Sequence, residues 1–242
     1  MGFNIPMKTT GAYNKNSIIN KFGNQDINNR KNVLNRDNLI QNNNNQKPQE
    51  SVKQPCLSGN GVKLRRGQKI KLSDGVSNTN LKFYFGWNIK NPECDLDGSA
   101  FMLDSRNKVI DDNWFIFYGN PQSPDKSLNY KAYDEGNGGE ISINISGLNP
   151  NVQKIVMSVT IYEAFERNLN FGMVSNVYVR IADSSGNTEI AYFDIDECFS
   201  SITALVIGEL YRYNNEWKFN AVGSGVNRDL AGFCGMYGVN LV

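Results

Sequence analysis

Two stretches of the chain carry residue types that can do chemistry with a cation. The first is ECDLDGSAFML at 93–103, where Asp95 and Asp97 stand one residue apart at the head of a strand-like run. Side chains two apart on an extended strand project together, so this spacing predicts both carboxylates and Ser99 on one side, with Leu96 on the other. Like charges that close repel, and such a pair is solvated, matched by a cation or bound to a metal. The second stretch is AYDEGNGGE at 132–140, which offers Asp134, Glu135, Asn137 and Glu140 around three glycines. Glycines let backbone carbonyls turn inward, and Asp, Glu, Asn and carbonyl oxygens are calcium ligands.

Neither stretch is a regular calcium motif by itself. Gly98 follows Asp95 two positions too early for an EF-hand, and a lone GNGGE is not a β-helix calcium repeat. Spacing alone leaves surface acids and cation ligands both open. A third acidic loop, IDDNWF at 110–115, is in the same position.

The absences narrow the chemistry further. The chain contains no histidine, which removes Ser/His/Asp and Cys/His catalysis and H-E-x-x-H zinc sites. No GxGxxG or Walker A sequence is present. Nothing selects two carboxylates as a glycosidase pair. Cys56, Cys94, Cys198 and Cys234 are too far apart in sequence for a metal knuckle, and are expected as reduced thiols. MGFNIPMKTTGAYNKNS lacks the apolar core of a signal peptide, and no run of apolar residues is long enough to span a membrane. The expectation is a cytoplasmic protein, and an enzyme here would have to run on carboxylates, lysine or a bound metal.

The elements that must position these acids are strands. KLRRGQKIKL (63–72), LKFYFGW (81–87), GSAFML (98–103), NWFIFYG (113–119), EISINI (140–145) and VQKIVMSVTIY (152–162) are short and rich in β-branched and aromatic residues. NVYVRIAD (176–183), EIAYFDI (189–195), TALVIGELYRY (203–213) and WKFNAVG (217–223) continue the series. The connectors NNE and DSSGN read as hairpin turns. EAFERN (163–168) and RDLAGFCGMYG (228–238) read as a short helix or turn each. About ten strands without intervening amphipathic helices predict an all-β fold, an antiparallel β-sandwich over residues 57–242 with loops gathered at two rims.

Residues 1–56 are a different material, dominated by Asn, Lys and Gln and ending in QNNNNQKPQESVKQP. Such a segment buries too little apolar surface to offset its ordering entropy, which predicts a disordered arm and linker. Two apolar clusters interrupt it, NSIINKFG at 16–23 and KNVLNRDNLI at 31–40. Residues 1–60 hold eight Lys or Arg against three acids, leaving seventeen against twenty-one in the remainder. A basic arm invites a nucleic-acid reading, but its bases are dispersed among asparagines with few aromatics to stack. Folding back onto the acidic domain, or acting as a solubilising tail, is at least as well supported.

Taken in order, VKLRRGQKIKL, FYFGWN, CDLDGSAFML, WFIFYGNPQSP, IYEAFERNLNFGMVSNVYVRI, EIAYFDI and GELYRYNNEWKFNAVGSG resemble the TerD family. That family is a tellurite-resistance and general-stress domain that also includes slime-mould calcium-binding proteins. The resemblance runs from about Gly61 to Gly238. It implies a non-enzymatic, calcium-binding β-sandwich that serves other stress-response proteins or a membrane-associated complex. It also implies that Asp95 and Asp97 form one half of a Ca2+ cage. Asp134, Asn137 and Glu140, with Glu135 among them, fall in the family's acidic loop. Asn88 stands where the family's GWD has an aspartate. The loop here is shorter and poorer in carboxylates than the family's, and ligand charge sets calcium affinity, so one site or weaker binding is expected. The alternative is a calcium-independent sandwich that binds protein or nucleic acid.

Overall fold

Among the described residues, alternation of large apolar and polar residues makes twelve strands, which stack as two six-stranded sheets. The computed structural model describes residues 57, 60–72, 80–133, 136–183, 188–195 and 200–241. The arm expected over 1–56 and most of the DSSGN turn lie outside the described residues. In chain order the strands are β1 (Val62–Lys63), β2 (Lys69–Lys71), β3 (Asn80–Ile89), β4 (Leu96–Leu103), β5 (Phe115–Ile116) and β6 (Leu128–Ala132). They continue with β7 (Gly138–Asn144), β8 (Lys154–Ile161), β9 (Val174–Asp183), β10 (Thr188–Ile195), β11 (Ala204–Tyr213) and β12 (Glu216–Val226). Sheet A has the order β1-β10-β9-β3-β7-β6 and sheet B the order β2-β12-β11-β8-β4-β5. The predicted sandwich is the observed fold, with one parallel pair, β1 on β10, in an otherwise antiparallel arrangement.

Three strand expectations are refined by tertiary context. Residues 63–72 form two short strands on different sheets, because the chain turns at Gly67 (φ +79°) and crosses from one layer to the other. The expected strand at 113–119 keeps only two strand residues, Phe115 and Ile116, with Phe117 in an isolated bridge to Asn120. Asp111 accepts a hydrogen bond from the Asn113 N–H (2.9 Å) and caps a 3-10 turn, and the Asn120 side chain donates to the Phe115 carbonyl (2.8 Å). β6 is an edge strand that the sequence reading passed over, although Leu128 and Tyr130 alternate with exposed Asn129 and Lys131. The NNE connector is a two-residue hairpin turn: Asn214 and Asn215 both take positive φ, as the right-handed strand twist favours.

The core lies between the sheets. Phe83 of β3 packs on Phe219 of β12 with ring centroids 5.7 Å apart. Gly98 of β4 lies so close beneath Phe85 of β3 that a Cβ there would stand 2.5 Å from the ring. These contacts define the inner faces. By alternation, Asp97, Ser99 and Phe101 face the outside of sheet B, while Lys82 and Tyr84 face the outside of sheet A. Helix α1 (Leu230–Tyr237) covers part of the outer face of sheet B. Asp229 caps its N-terminus by accepting from the Gly232 N–H (2.7 Å), and Gly238 ends it in the left-handed conformation. Its Phe233 and Tyr237 lie on Phe101 at 6.2 and 4.7 Å. The four edge strands are two to five residues long, which blunts edge-to-edge pairing. Among the described residues no helix is long and apolar enough to cross a membrane.

Candidate functional site

The loops that follow β3, β6 and β8 meet at one rim, together with the mouth of β4. β4 pairs antiparallel with β8, Leu96 opposite Ile161 and Asp97 opposite Thr160. That register brings the residue before β4 against the residue after β8, and the Tyr162 N–H donates to the Asp95 carbonyl at 2.8 Å. Asp95 is exposed just ahead of the strand, whereas Asp97 retains 8% of its surface within it. Two residues along the same face, Ser99 is hydrogen-bonded to Ser158 of β8 at 2.9 Å. Phe101 then lies beneath α1. The outer stripe of β4 therefore runs from carboxylate to hydroxyl to aromatic as it passes from the rim to the helix.

Sequence reasoning missed Glu163, which the structure places beside this mouth. Its backbone takes φ +48°, a left-handed conformation that a glutamate adopts at a cost of about 1–2 kcal/mol. Burial, a hydrogen bond with Glu163 and the nearby Asp95 charge push the Tyr162 phenol up to about 12. Arg167, on the same loop, donates to the Glu93 carbonyl at 2.6 Å and brings a positive charge toward the acids. The signal in the sequence was the glutamate of EAFERN directly after a strand, but only the β4–β8 register brings its neighbour Tyr162 against Asp95.

Asn88 and Asn137 lie on the same rim along sheet A. Asn88 follows a bulge in β3 and stands opposite Ser175 of β9. The Asn137 carbonyl accepts from the Trp87 N–H at 3.1 Å, which ties the 133–138 loop to the end of β3. That loop closes on itself, with the Gly136 N–H donating to the Tyr133 carbonyl and the Tyr133 N–H to the Gly138 carbonyl, each at 3.0 Å. Asp134 and Glu135 lie outside the described residues.

Glu140 is placed differently. It stands in β7 opposite Tyr84, on the outer face of sheet A. Its carboxylate binds the Lys82 ammonium at 2.9 Å and accepts from the Ser142 hydroxyl at 2.8 Å. The hydrogen bond that Lys82 donates to Glu140 holds its ammonium above the usual lysine range. Among the described residues, no three Asp, Glu or Cys side chains converge as a metal-holding group. A calcium ion at this rim therefore needs oxygens from more than the described carboxylates. Cys94 and Cys234 are buried, and burial pushes the Cys94 thiol up, away from the reactive thiolate form.

A two-sheet sandwich with an acidic strand mouth at one rim defines a class of small β domains. Within that class, residues 60–237 match the TerD domain, and the chain belongs to the TerD family. It is 39% identical over 188 residues to the tellurium resistance protein TerD of Serratia marcescens, covering 74% of this chain and 98% of that one. It is 36% identical over 192 residues to general stress protein 16U of Bacillus subtilis (strain 168), with 74% and 98% covered. The fold is shared with the crystal structure of a homologue of telluride resistance protein (TerD) from Streptomyces coelicolor A3(2). There the TM-score is 0.51 and identity 20%, over 65% of this chain and 95% of that one.

Proposed function

We propose that this TerD-family tellurium- and stress-resistance protein is a non-enzymatic module that takes up one calcium ion at the acidic rim and presents that rim to partner proteins. The observation that carries the reading is the pairing of exposed Asp95 with nearly buried Asp97 at the mouth of β4, with Glu163 alongside. A carboxylate at 8% exposure favours any arrangement that surrounds it with positive charge. In this reading Asp95 and Asp97 are the primary ligands. Asn88 and Asn137 add oxygens from the sheet A side, and Asp134 and Glu135 complete the set. Glu140 anchors the base of the loop through Lys82. Calcium supplies charge neutralisation, and the chain's own residues order the rim around it. Other stress-response proteins, or a complex at a membrane, are the partners this surface serves, in a cytoplasmic setting.

Arg167 favours a second reading. Its guanidinium, bonded to the Glu93 carbonyl and acting on Tyr162, already brings a counter-charge to this mouth, and a rim neutralised that way binds partners without an ion.

Calorimetric titration of the full chain with calcium separates the two. Uptake predicts a saturable heat near one ion per chain. At a hundredfold excess over Kd the stabilisation is about 2.7 kcal/mol, which raises Tm by roughly 5–10 °C. Asp95→Asn with Asp97→Asn removes both signals. No heat and no shift in the unaltered protein leaves the calcium-independent reading.

A further inference from the structure

Arg167 is a cation held at an acidic mouth without closing on a carboxylate. The loop after β8 fixes its stem. Glu163 (φ +48°) and Asn168 (φ +51°) turn the chain in left-handed conformations. Across that turn the Arg167 N–H donates to the Glu163 carbonyl at 3.0 Å, and the Leu169 N–H to the Ala164 carbonyl at 2.8 Å. The guanidinium donates to the Glu93 carbonyl at 2.6 Å, two residues before Asp95. Among the described residues it forms no ion pair.

Its charge nevertheless reaches both neighbours of the Asp95 backbone. Cys94 precedes Asp95 in the chain; burial pushes its thiol up, Arg167 pulls against that shift and Glu93 adds to it. Tyr162 is bonded to the Asp95 carbonyl through its N–H at 2.8 Å. Burial, a hydrogen bond with Glu163 and the charges of Glu163 and Asp95 push its phenol up to about 12, with Arg167 opposing them. A neutral acceptor thus holds the guanidinium, and its positive charge acts on the mouth through space. No described carboxylate oxygen is occupied in doing so, which is what separates this arrangement from a salt bridge.

We propose that Arg167 is the resident counter-charge of the mouth, that it opposes a metal ion in the field of Asp95, Asp97 and Glu163, and that it thereby weakens calcium binding there. The inference rests on the reading of this rim as a calcium site. Without the ion, the guanidinium offsets the mutual repulsion of the acids. With the ion, a divalent charge and a guanidinium lie on the same side of the rim and repel. Within about one Debye length, roughly 8–10 Å, that repulsion weakens binding by about five- to tenfold. The loop that lends Glu163 to the mouth therefore also carries the antagonist of the ion, four residues further on.

Calorimetric calcium titration of the full chain tests this in the unaltered, Arg167→Gln, Arg167→Lys and Arg106→Gln forms. Arg106 is the control, because its exposed side chain follows the far end of β4 at the opposite rim. In about 0.1 M KCl, Arg167→Gln is expected to lower Kd about five- to tenfold, and Arg167→Lys, which keeps the charge, to stay within about twofold. Arg106→Gln leaves Kd unchanged. In about 1 M KCl the Debye length falls to about 3 Å, and the gap between the unaltered and Arg167→Gln forms closes to about twofold or less. A gap that persists in high salt overturns the inference. Heat with the same Kd in the unaltered and Arg167→Gln forms also overturns it, while the calcium reading stands. Weaker binding in both Arg167→Gln and Arg167→Lys gives Arg167 a structural role through the Glu93 carbonyl and overturns it as well. An equal gain in Arg106→Gln assigns the effect to net charge, with the same consequence. Heat in Arg167→Gln alone supports the inference, since Arg167 then shuts the ion out, and overturns the calcium reading of the unaltered protein. No heat in any form overturns both.

Discussion

Asp97 and Glu140 point away from each other across the sandwich. Asp97 stands opposite Thr160 and faces out from sheet B. Glu140 stands opposite Tyr84, faces out from sheet A and is bound to Lys82. Two sheets about 10 Å apart lie between them. One ion cannot use both carboxylates, although in sequence both belong to acidic stretches of similar appearance.

The two therefore part company under mutation. Asp97→Asn is expected to remove calcium uptake, if the rim takes up calcium, while Glu140→Gln leaves the titration heat unchanged. Glu140→Gln loses only a partly exposed ion pair with Lys82, which contributes up to about 1 kcal/mol. Calorimetry on the two variants, with urea melts for stability, reads both effects. Equal loss of heat in both variants overturns the assignment of Glu140 as an anchor.

Gly98 lies directly inward of the Asp97–Ser99 stripe, against Phe85 of the opposite sheet. A methyl group there forces the two layers apart at the rim. Gly98→Ala is expected to destabilise the fold by about 1–3 kcal/mol, measured by chemical unfolding. Because β4 carries Asp97, the same variant also disturbs the mouth.

The β11–β12 hairpin depends on two left-handed asparagines, Asn214 at φ +50° and Asn215 at φ +64°. Asn215→Gly is expected to be neutral or slightly stabilising. Asn215→Val, β-branched at positive φ, is expected to cost about 1–2 kcal/mol in thermal or urea melts.

Asp125 organises the turn before β6. Its carboxylate accepts from the Ser123 hydroxyl (2.6 Å), the Ser127 hydroxyl (2.7 Å) and N–H (3.0 Å), and the Asn149 N–H (2.8 Å). Burial pushes this carboxyl up, but those hydrogen bonds outweigh it and hold it below the usual aspartate range. A depressed folded-state pKa means that the unfolded chain binds more protons as the solution is acidified. The stabilisation is thus present above the unfolded value near 3.9 and is lost as pH falls through the lower folded value. Urea melts across about pH 2–5 should show a shallower acid dependence for Asp125→Asn than for the unaltered protein. At neutral pH the variant is expected to be less stable by about 1.5–3 kcal/mol, the contribution of hydrogen bonds to a charged group.

Much of this protein is legible in the order of its residues. Period-two alternation and turn residues mark strands one at a time, because pleat and turn geometry are local properties. KIVMSVTIY, apolar on both faces, reads as a central strand and is one, between β11 and β4. WKFNAVG and the asparagine turn before it are equally plain. The resemblance of GWN, DLD and the stretches around them to the TerD family is likewise a property of sequence alone.

Tertiary structure decided what each strand faces. KLRRGQKIKL has one texture, yet it divides between two sheets, because a glycine turn lets each half satisfy a different edge. Tyr162, which carries Glu163 next to it in the chain, meets Asp95 only through the register of β4 on β8, a pairing of residues more than sixty positions apart. The sequence by itself determined which residues could line a strand or bind a cation, since residue chemistry and period are written locally. Only the stacking of the two sheets decided which of those acids share a side, because the direction of a side chain in space is set by the layer it packs against.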